Sequence, residues 1–338
     1  MFPDKQIELS HGSGGKSSRR LIEGLIGPRL GGSLLEGLSD SALVSLGGSN
    51  VAITGDSFVV NPIRFSGGSI GSLAVNGTVN DLAVAAARPV ALLLTLILEA
   101  GIPIEELELE LDSIALACEA AGVRIVGGDT KVVEHGKADG MYVTTFGIGQ
   151  PVEGVDLNPR SLRVGDKIIL SGPVGEHGIT VLLARGDLEL ECDLSTDSRS
   201  VWPLVCALLD CCGSEVRWMR DPTRGGVATS LNELAADSGL GLSIDEALVP
   251  VKDTVRGACE VLGLDVLHVA NEGQFLAVVS ADAAESAVSA LRRTDGGAEA
   301  AVIGEVIEGA AGRLQAVTPF GSTRIVDMLV GDQLPRIC

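Results

Sequence analysis

The sequence contains few aromatic residues and no long apolar run. Phe, Trp and Tyr together make up 3% of its 338 residues, so its cores must be built from Val, Leu, Ile and Ala. The longest apolar run covers residues 90–98, which is strand-length and well short of the roughly 18 residues of a membrane span. The first ten residues have no apolar core, so we also expect no secretory signal peptide.

Basic residues are scarce relative to acidic ones. The chain has 25 Lys and Arg against 45 Asp and Glu, which gives a formal net charge of -20. Nucleic acids and anionic membranes attract clustered Lys and Arg, so this balance argues against either as a main partner. A phosphate ligand would instead need metal ions, backbone N–H groups or a few well-placed cations.

The seven cysteines form no CxxC pair, and their number is odd. The pattern therefore predicts neither a zinc site nor a disulfide framework. Cys118, Cys206 and Cys259 lie in apolar helical patterns and are predicted to be small core residues. The adjacent pair Cys211 and Cys212 has no explanation from the sequence. A reducing cytoplasm fits this cysteine usage best.

Helical and strand-like segments alternate along the whole chain, which predicts α/β layering. A chain of 338 residues exceeds the size at which one core stops growing, so we expect two domains. The pattern loosens near residues 151–159, which places the boundary between an N-terminal domain at 1–155 and a C-terminal domain at 156–330. Within the first domain, residues 71–87 predict a small-residue helix and residues 90–98 a buried strand.

The chain ends on a thiol, in the sequence PRIC at residues 335–338. Gly331 and Pro335 disfavour a helix here, so residues 331–338 are expected to form a flexible tail. Fully extended, eight residues span roughly 26–29 Å, enough for the thiol to reach from a domain rim into a cleft. On the tail alone, a frayed end with an incidental cysteine is an equally good interpretation.

Four aspartates recur beside Gly, Ser, Thr or Asn, at predicted strand ends or on helices. They are Asp40 in LSDSA, Asp56 in ITGDSF, Asp81 in TVNDLA and Asp129 in VGGDTK, which follows a strand predicted at 123–126. Hard oxygen ligands of this kind hold Mg²⁺, which in turn holds nucleotide phosphates. Each aspartate alone is also typical of a turn or a helix cap. Asn76 and Asn80 share one predicted helix face, and with them the set favours a metal–nucleotide site.

A glycine-rich segment near the N-terminus resembles a phosphate-binding loop. Residues 12–17 read GSGGKS, but the first glycine that a P-loop requires falls on Ser10, so the full pattern fails. A flexible loop that closes over phosphate remains reasonable, with the backbone of Gly14 and Gly15 and the side chain of Lys16 as donors.

Two further segments of the second half suit chemistry on an anion. The segment DPTRGG leads from a predicted strand into a helix, where Thr223, Gly225 and Gly226 suit an anion at the helix N-terminus. Glu272 lies between Asn and Gly before an apolar strand and is a candidate base, although a surface turn is the commoner explanation. His177, in a glycine-containing loop, is a weaker catalytic candidate, since it can equally cap a turn.

These segments, in this order, resemble the synthetase superfamily that contains aminoimidazole ribonucleotide synthetase, selenophosphate synthetase, thiamine-monophosphate kinase and the hydrogenase maturation protein HypE. The chain is most similar to the HypE family, and the resemblance covers essentially its whole length. It rests on the segments HGSGGKSS, ITGDSFVVNP, GGSIGSLAVNGTVNDLAVAAARP, VGGDTKVV, DPTRGGVATSLNE, NEGQFLAVV and the terminal PRIC. PRIC is the most specific element, because other members of the superfamily lack it. One departure is Ser41 after Asp40, where the superfamily often has a second acid or alanine.

The resemblance implies an α/β fold of two domains, in which the N-terminal halves pair in a homodimer through a shared β-barrel. A C-terminal α/β sandwich and the flexible tail follow. In this family the carbamoyltransferase HypF places a carbamoyl group on the terminal thiol, here Cys338. ATP then phosphorylates the thiocarbamate oxygen, and loss of phosphate with two nitrogen protons leaves a thiocyanate on sulfur. The cyano group passes to iron in a HypC–HypD complex, for the nickel–iron hydrogenase centre.

The resemblance also implies roles for particular residues. Mg²⁺ would neutralise the triphosphate and its developing charge. Its expected ligands are Asp40, Asp56, Asp81, Asp129 and Asp221. We expect Glu272 to remove protons from nitrogen and Lys131 to stabilise the phosphorylated oxygen. Arg336 is expected to anchor the tail by pairing with a carboxylate.

Two other functions stay open at this point. One is a superfamily kinase or synthetase that acts on a free small molecule, whose activity would survive removal of residues 335–338. The other is a non-catalytic thiol carrier or metal chaperone that uses Cys338 and needs no nucleotide. Unimpaired function of an Asp81→Asn variant would favour the carrier, which the aspartate segments make the weakest of the three.

Overall fold

Two large sheets, one in each half of the chain, organise the protein. A computed structural model describes residues 4–12, 14–30, 40–186, 193–329, 334 and 336–338. Across these residues, no helix combines the length and the apolar character needed to cross a membrane. The prediction of two α/β halves is confirmed.

The N-terminal half places helices against an open five-stranded sheet. Its elements are α1 (Gly15–Leu21), a π-helical turn (Ile22–Ile26), α2 (Gly27–Leu30), β1 (Ala42–Leu46), β2 (Ser49–Phe58), β3 (Arg64–Phe65), β4 (Gly68–Ser69), α3 (Ile70–Val84), β5 (Ala87–Glu99), α4 (Ile104–Ala121), β6 (Arg124–Val133) and β7 (Met141–Pro151). The strand order in the sheet is β1-β2-β7-β5-β6, and only β5 and β6 run parallel. Strands β3 and β4 form a separate hairpin.

Helix α3 lies directly on this sheet because both carry small residues where they meet. A side chain at Gly147 of β7 would come within 2.8 Å of Thr78 and 2.9 Å of Leu82, both in α3. The Thr78 and Thr145 hydroxyls lie 2.5 Å apart in the same buried layer. Helix α4 packs behind α3, and there Cys118 is buried as predicted. The small-residue composition of α3 thus serves close packing.

The two faces of this sheet differ in what covers them. Along β2, Ala52 and Phe58 are buried on the α3 side. Apolar side chains on the opposite face remain partly open to solvent. They are Ile53 (41% exposed), Leu93 (38%), Phe146 (47%) and Ile148 (38%). A single chain therefore presents a largely apolar sheet face.

The C-terminal half forms a seven-stranded sheet with helices on both faces. Its elements are β8 (Lys167–Leu170), α5 (Glu176–Ala184), α6 (Trp202–Cys212), β9 (Val216–Arg220), α7 (Gly226–Ser238), β10 (Gly241–Asp245), α8 (Asp253–Leu262), β11 (Leu276–Val279), α9 (Ala284–Arg292), β12 (Ala301–Ile307), β13 (Leu314–Val317) and β14 (Thr323–Val326). The strand order is β14-β13-β10-β12-β8-β11-β9. Leu170 of β8 packs with Leu231 of α7 on one face of the sheet. The preceding residue, Ile169, packs with Leu208 of α6 on the other face.

One hydrophobic core contains residues of both halves and of the terminal tail. Its members include Phe58, Ile70, Ile179, Val255, Leu334 and Ile337. Leu334 and Ile337 are only 6% and 5% exposed, so the described part of the tail is packed. The predicted flexible tail also includes Gly331, Asp332, Gln333 and Pro335, which lie outside the described residues.

Sequence patterns located the elements well but placed some ends wrongly. The helix predicted at 71–87 is α3, and the strand predicted at 90–98 is β5. The strand predicted at 123–126 was too short, because β6 pairs with β5 as far as Val133. The glycines that suggested a turn lie inside the strand, and a Cβ at Gly128 would overlap the Leu94 carbonyl group. Cys206, predicted as a core residue, is partly exposed on α6.

Candidate active site

Three aspartates from distant parts of the sequence meet between the two halves. Asp40 precedes β1, Asp81 lies in α3, and Asp221 follows β9. One carboxylate oxygen from each lies within 4.8 Å of the other two. Thr54 Oγ1 in β2 lies 2.8 Å from Asp81 Oδ2 and 2.7 Å from the Asp40 carbonyl oxygen. Strand β2 thereby holds the Asp81 carboxylate close to the backbone of Asp40.

Burial and the charge of neighbouring carboxylates disfavour ionisation of Asp81 and Asp221. Burial above all, followed by the charge of Asp40, raises the pKa of Asp221 to about 8. Burial raises the pKa of Asp81 well above its usual range, and Asp221 adds to the effect. Burial also raises the pKa of neighbouring Asp56, although Arg224 opposes the shift. At neutral pH Asp221 therefore keeps its proton unless another cation replaces it.

The donor set fits a hard divalent cation such as Mg²⁺. Such ions prefer carboxylate oxygens, and three of them converge here. Arg220 supplies only part of the compensating charge, because its Nε lies 3.1 Å from Asp40 and its Nη1 lies 2.5 Å from Glu233. Asp40, Asp81 and Asp221 are thus the residues that could hold a metal.

Within one chain, the structure does not bring Asp129 and Lys131 to this cluster. Four residues stand side by side in register across the sheet, namely Ser57, Thr144, Thr95 and Asp129. Three strand spacings, about 14 Å, therefore separate Asp129 from β2. Asp129 and Lys131 also share the open sheet face with Leu93, whereas Asp56 faces α3. The two residues form an ion pair with each other.

Both predicted phosphate-binding segments lie side by side. Arg224 of the DPTRGG segment donates from Nη1 to the Gly12 carbonyl oxygen at 2.5 Å. A side chain at Gly14 would begin 3.2 Å from the Arg224 Cβ. Lys16 Nζ lies 2.6 Å from Asp327 Oδ2 in an exposed ion pair. The N-terminal loop is therefore held next to the start of α7.

The glycines of these segments are also required by the backbone itself. Gly15, Gly225 and Gly226 have φ values of 69°, 76° and 61°, which favour glycine. A Cβ at Gly226 would lie 2.6 Å from two carbonyl oxygens, and one at Gly15 would lie 2.8 Å from another. The Thr223 carbonyl oxygen accepts from the Gly226 N–H at 2.9 Å, which closes the turn. Local packing explains these glycines, so their role in phosphate binding stays a prediction.

The side-chain amide of Asn80 forms hydrogen bonds with three backbone groups of the protein. Its partners are the carbonyl oxygens of Arg199 and Glu272, at 2.9 and 3.0 Å, and the Val201 N–H, at 2.8 Å. Both amide hydrogens are used, so Asn80 has no donor left for the nucleotide that the sequence assigned to it. Asn76, one turn earlier, donates to Ser198 Oγ at 3.1 Å.

Glu272 is a buried acid close to the aspartate cluster. It is 2% exposed, and its Oε1 has no hydrogen-bond partner among the described residues. Burial raises the pKa of Glu272 well above its usual range, and Asp221 contributes further. A side chain at Gly77 of α3 would begin 2.8 Å from the Phe58 ring and 3.8 Å from Glu272 Oε2. Glu272 thus lies near Phe58 and the aspartate cluster, and its role as a base stays a prediction.

His177 contacts the backbone of the terminal tail. The ring is fully buried, with Nε2 2.7 Å from the Ile337 carbonyl oxygen and Nδ1 2.8 Å from Thr196 Oγ1. Burial lowers the pKa of His177 to about 4, so the ring is neutral at neutral pH. Since a carbonyl oxygen can only accept, Nε2 carries the proton and donates it to the tail.

The tail is also held by its arginine and its terminal group. Arg336 Nη2 lies 2.5 Å from Asp139 Oδ2, which confirms the prediction that Arg336 pairs with a carboxylate. The Val59 N–H donates to a terminal oxygen of Cys338, and the Asn61 N–H donates to the Arg336 carbonyl oxygen, both at 3.2 Å. Cys338 therefore lies beside the residue that follows β2.

Sequence reasoning missed Asp197, which lies next to the candidate base. Its two carboxylate oxygens accept from the N–H groups of Glu272 and Gly273, both at 3.1 Å. Burial above all raises the pKa of Asp197 to about 6. Asp197 lies between Thr196 and Ser198, the same small polar setting that singled out the other aspartates, so that signal was available.

Family models and solved structures match this architecture. The model of the AIR synthase related protein, N-terminal domain, matches residues 38–150, and that of the C-terminal domain matches residues 163–317. The two halves of the fold thus define an AIR synthase related protein. Carbamoyl dehydratase HypE of Azotobacter vinelandii is 47% identical over 332 residues, which cover 98% of this chain and 97% of that protein. The chain belongs to the HypE family of carbamoyl dehydratases.

Two solved structures extend the comparison. A crystal structure of a HypE–HypF complex matches with a TM-score of 0.86 at 40% identity, covering 91% of this chain and 99% of the matched chain. A crystal structure of HypE in complex with ATP matches with a TM-score of 0.81 at 41% identity, covering 98% and 100%. The likeness therefore extends over both halves of the fold.

Proposed function

We propose that this chain catalyses the ATP-dependent dehydration of an S-carbamoyl group on its own Cys338. The product is a thiocyanate on the same sulfur, which donates the cyanide ligand in nickel–iron hydrogenase maturation. One observation carries the proposal, namely that the terminal tail is packed at the junction of the two halves. Cys338 packs against the same core as Phe58, and Phe58 lies beside the carboxylate of Glu272.

A tethered substrate explains why the thiol lies at the end of the chain. The tail holds Cys338 next to Val59, only three residues after Asp56 at the aspartate cluster. Three strand residues span about 10 Å, so a carbamoyl group on the thiol and a nucleotide at the aspartates lie within reach. The reaction is then effectively intramolecular, which lowers its entropic barrier.

Binding of ATP and Mg²⁺ is proposed on the donor set and on the likeness to an ATP-bound HypE. Asp40, Asp81 and Asp221 would hold the metal, with Asp56 beside them. When bound, Mg²⁺ neutralises charge on the phosphates. The loop at Gly14 to Lys16 and the turn at Thr223 to Gly226 lie together and remain the proposed contacts for the phosphates.

Glu272 is proposed as the base that takes protons from the carbamoyl nitrogen. An amide-like oxygen is a poor leaving group, and its phosphorylation by ATP turns it into a good one. Breaking that C–O bond releases phosphate, while loss of both N–H protons leaves the carbon–nitrogen triple bond. Burial raises the pKa of Glu272, so the ionised form of this carboxylate is a stronger base than that of an exposed one. His177 is assigned to holding the tail, since its Nε2 proton is committed to the Ile337 carbonyl oxygen.

A homodimer is proposed from the open face of the N-terminal sheet. Two such sheets, face to face, would bury the apolar side chains of Ile53, Leu93, Phe146 and Ile148 in a shared β-barrel. Asp129 and Lys131 lie on the same face. Their proposed roles in metal binding and in stabilising the phosphorylated oxygen therefore depend on assembly, because they lie across the sheet from the aspartates of their own chain.

The proposed partners follow from the family. A HypE–HypF complex has been crystallised, so HypF is the proposed donor of the carbamoyl group. A HypC–HypD complex that carries iron is the proposed acceptor of the cyano group. We place the reaction in the cytoplasm, because the exposed thiol of Cys211 and the thiol chemistry at Cys338 need reducing conditions.

Intact mass spectrometry tests the proposal directly. Protein carbamoylated by HypF should lose the mass of one water after Mg-ATP is added, and Cys338→Ala should show neither the carbamoyl group nor the loss. Truncation after Leu334 separates this activity from a kinase that acts on a free molecule, which would keep its activity. A carbamoylated protein whose mass stays constant with Mg-ATP would refute the proposal.

A further inference from the structure

A three-residue segment joins the tail to the candidate base. Thr196 lies on the tail side, where its Oγ1 is 2.8 Å from His177 Nδ1. Because Nε2 carries the ring proton to Ile337, Nδ1 is an acceptor, and the Thr196 hydroxyl must donate to it. The same Oγ1 accepts from the Ser198 N–H at 3.1 Å. One hydroxyl thus connects the histidine that holds the tail to the turn that follows.

Asp197, the middle residue, holds the loop that carries Glu272. Its carboxylate bridges two consecutive amides, those of Glu272 and Gly273, each at 3.1 Å. A Cβ at Gly273 would overlap the Asp197 carbonyl group, so only glycine lets the two backbones come this close. From the other side, Asn80 donates to the Glu272 carbonyl oxygen at 3.0 Å. The position of Glu272 therefore depends directly on where Asp197 lies.

The segment is also fixed to the N-terminal half. The Thr196 N–H donates to the Ser66 carbonyl oxygen in the β3–β4 hairpin at 3.0 Å. Ser198 Oγ accepts from Asn76 Nδ2 of α3 at 3.1 Å. The Phe65 ring meets His177 edge-on, with ring centroids 5.5 Å apart. The segment is thus held on both sides of Asp197, with direct contacts to His177 at one end and to the Glu272 loop in the middle.

We infer that residues Thr196 to Ser198 act as a positioning link, through which docking of the tail at Ile337 holds Glu272 in place for the reaction. The inference rests on the proposed roles of Glu272 and Cys338. When the tail leaves to receive its carbamoyl group, the His177 Nε2–H loses its acceptor and the link relaxes. Glu272 then reaches its working position only while the loaded thiol is docked. Thr196 and Asp197 are positioning residues, since neither has to touch the substrate.

Hydrogen exchange on the full-length protein tests the link without any chemistry. Arg336→Ala removes the ion pair with Asp139 and loosens the tail, which a faster alkylation of Cys338 will verify. The amides of Glu272 and Gly273 should then exchange about five- to tenfold faster, as expected for a weakened hydrogen bond. In a Thr196→Val background, Arg336→Ala should add nothing further, because the link is already cut. Unchanged exchange at both amides, in a protein whose tail is verified as loose, overturns the inference.

Turnover of carbamoylated protein supplies the second readout. Thr196→Val should lower kcat by about tenfold or more, while the KM for ATP stays constant, because misplacement affects the base and not nucleotide binding. Thr196→Ser keeps the hydroxyl and should restore kcat, which a merely structural defect would not allow. Asp197→Asn should behave like Thr196→Val, and Asp193→Asn, at an exposed aspartate, is its matched control.

The two readouts separate failure of the link from failure of the proposed function. If the wild-type protein never loses water from its carbamoylated thiol, the proposed function is refuted, and the exchange experiment alone decides the link. If dehydration occurs but Thr196→Val turns over at the wild-type rate, the proposed function stands and the link is refuted.

Discussion

Replacing Asp221 by Asn should stabilise the metal-free protein and remove its stabilisation by Mg²⁺. Asp221 is 6% exposed and shares its site with Asp40 and Asp81. Burial and the charge of Asp40 raise its pKa to about 8, so the folded protein keeps a proton that the unfolded chain releases. An asparagine has nearly the same shape but no charge to lose. Without metal, burial of the Asp221 carboxyl lowers the free energy of unfolding of the wild-type protein, and the variant lacks this destabilisation.

The size of the effect follows from the two pKa values. Between an ordinary pKa of 3.8 and the folded value of about 8, the folded state binds more protons. The free energy of unfolding therefore falls as pH rises through this window, by about 1.4 kcal/mol for each pH unit. Relative to wild type, Asp221→Asn should gain roughly 2 kcal/mol at pH 5 and roughly 4 kcal/mol at pH 7. Below pH 4 the two proteins should be equally stable.

Urea unfolding in EDTA at pH 5, 6 and 7 measures these differences. Mg²⁺ should then raise the unfolding midpoint of the wild-type protein and leave that of the variant nearly unchanged, because one of three ligands is lost. Asp282→Asn, at an exposed aspartate, is the matched control for loss of one carboxylate. An equal gain at pH 5 and pH 7, or a variant that Mg²⁺ stabilises as much as the wild type, would show that the three carboxylates do not share a cation site.

Three further predictions test the base, the tail and the glycine turn. Glu272→Gln should slow loss of water from the carbamoylated protein by about 10²- to 10⁴-fold in a mass assay, while ATP binding by equilibrium dialysis persists. Asp139→Asn should speed alkylation of Cys338 by up to about fivefold in peptide mapping, because an exposed ion pair contributes at most about 1 kcal/mol. Gly226→Ala, with φ at 61°, should destabilise the fold by roughly 2 kcal/mol or more in thermal unfolding. Gly257→Ala, in α8 with open space around it, should stabilise the fold by about 1 kcal/mol, and a loss there would contradict the packing argument.

Local patterns predicted the elements whose causes are local. The apolar run at 90–98 forms β5 and the small-residue stretch at 71–87 forms α3, because one is long enough for a buried strand and the other lies close against a sheet. The end of β6 could not be predicted this way. Glycine usually indicates a turn, but pairing with β5 carries the strand through Gly127 and Gly128, and at Gly128 a side chain would overlap the Leu94 carbonyl group.

In the candidate site, too, some features follow from local sequence and others from contacts between distant segments. The small polar setting of the aspartates predicted that they act together, and Asp40 and Asp81 do meet. Asp129 has the same setting, yet two strands separate it from β2, and it faces the other side of the sheet. Sheet order and side-chain alternation decide such a distance, and neither can be read from one segment. Asn80 was likewise grouped with the metal–nucleotide site, while in the fold its side-chain amide forms hydrogen bonds with backbone groups.

Short motifs, composition and chain length were sufficient to predict the family resemblance, the two-domain α/β organisation and the terminal thiol. The family resemblance had grouped Asp221 with Asp40 and Asp81, and the three-dimensional structure brings these three together without Asp129. The structure was also needed to find that His177, Thr196 and Asp197 connect the tail to Glu272. These contacts join residues up to 181 positions apart. Their distances are set by how the two halves pack around a shared core, which no local pattern encodes.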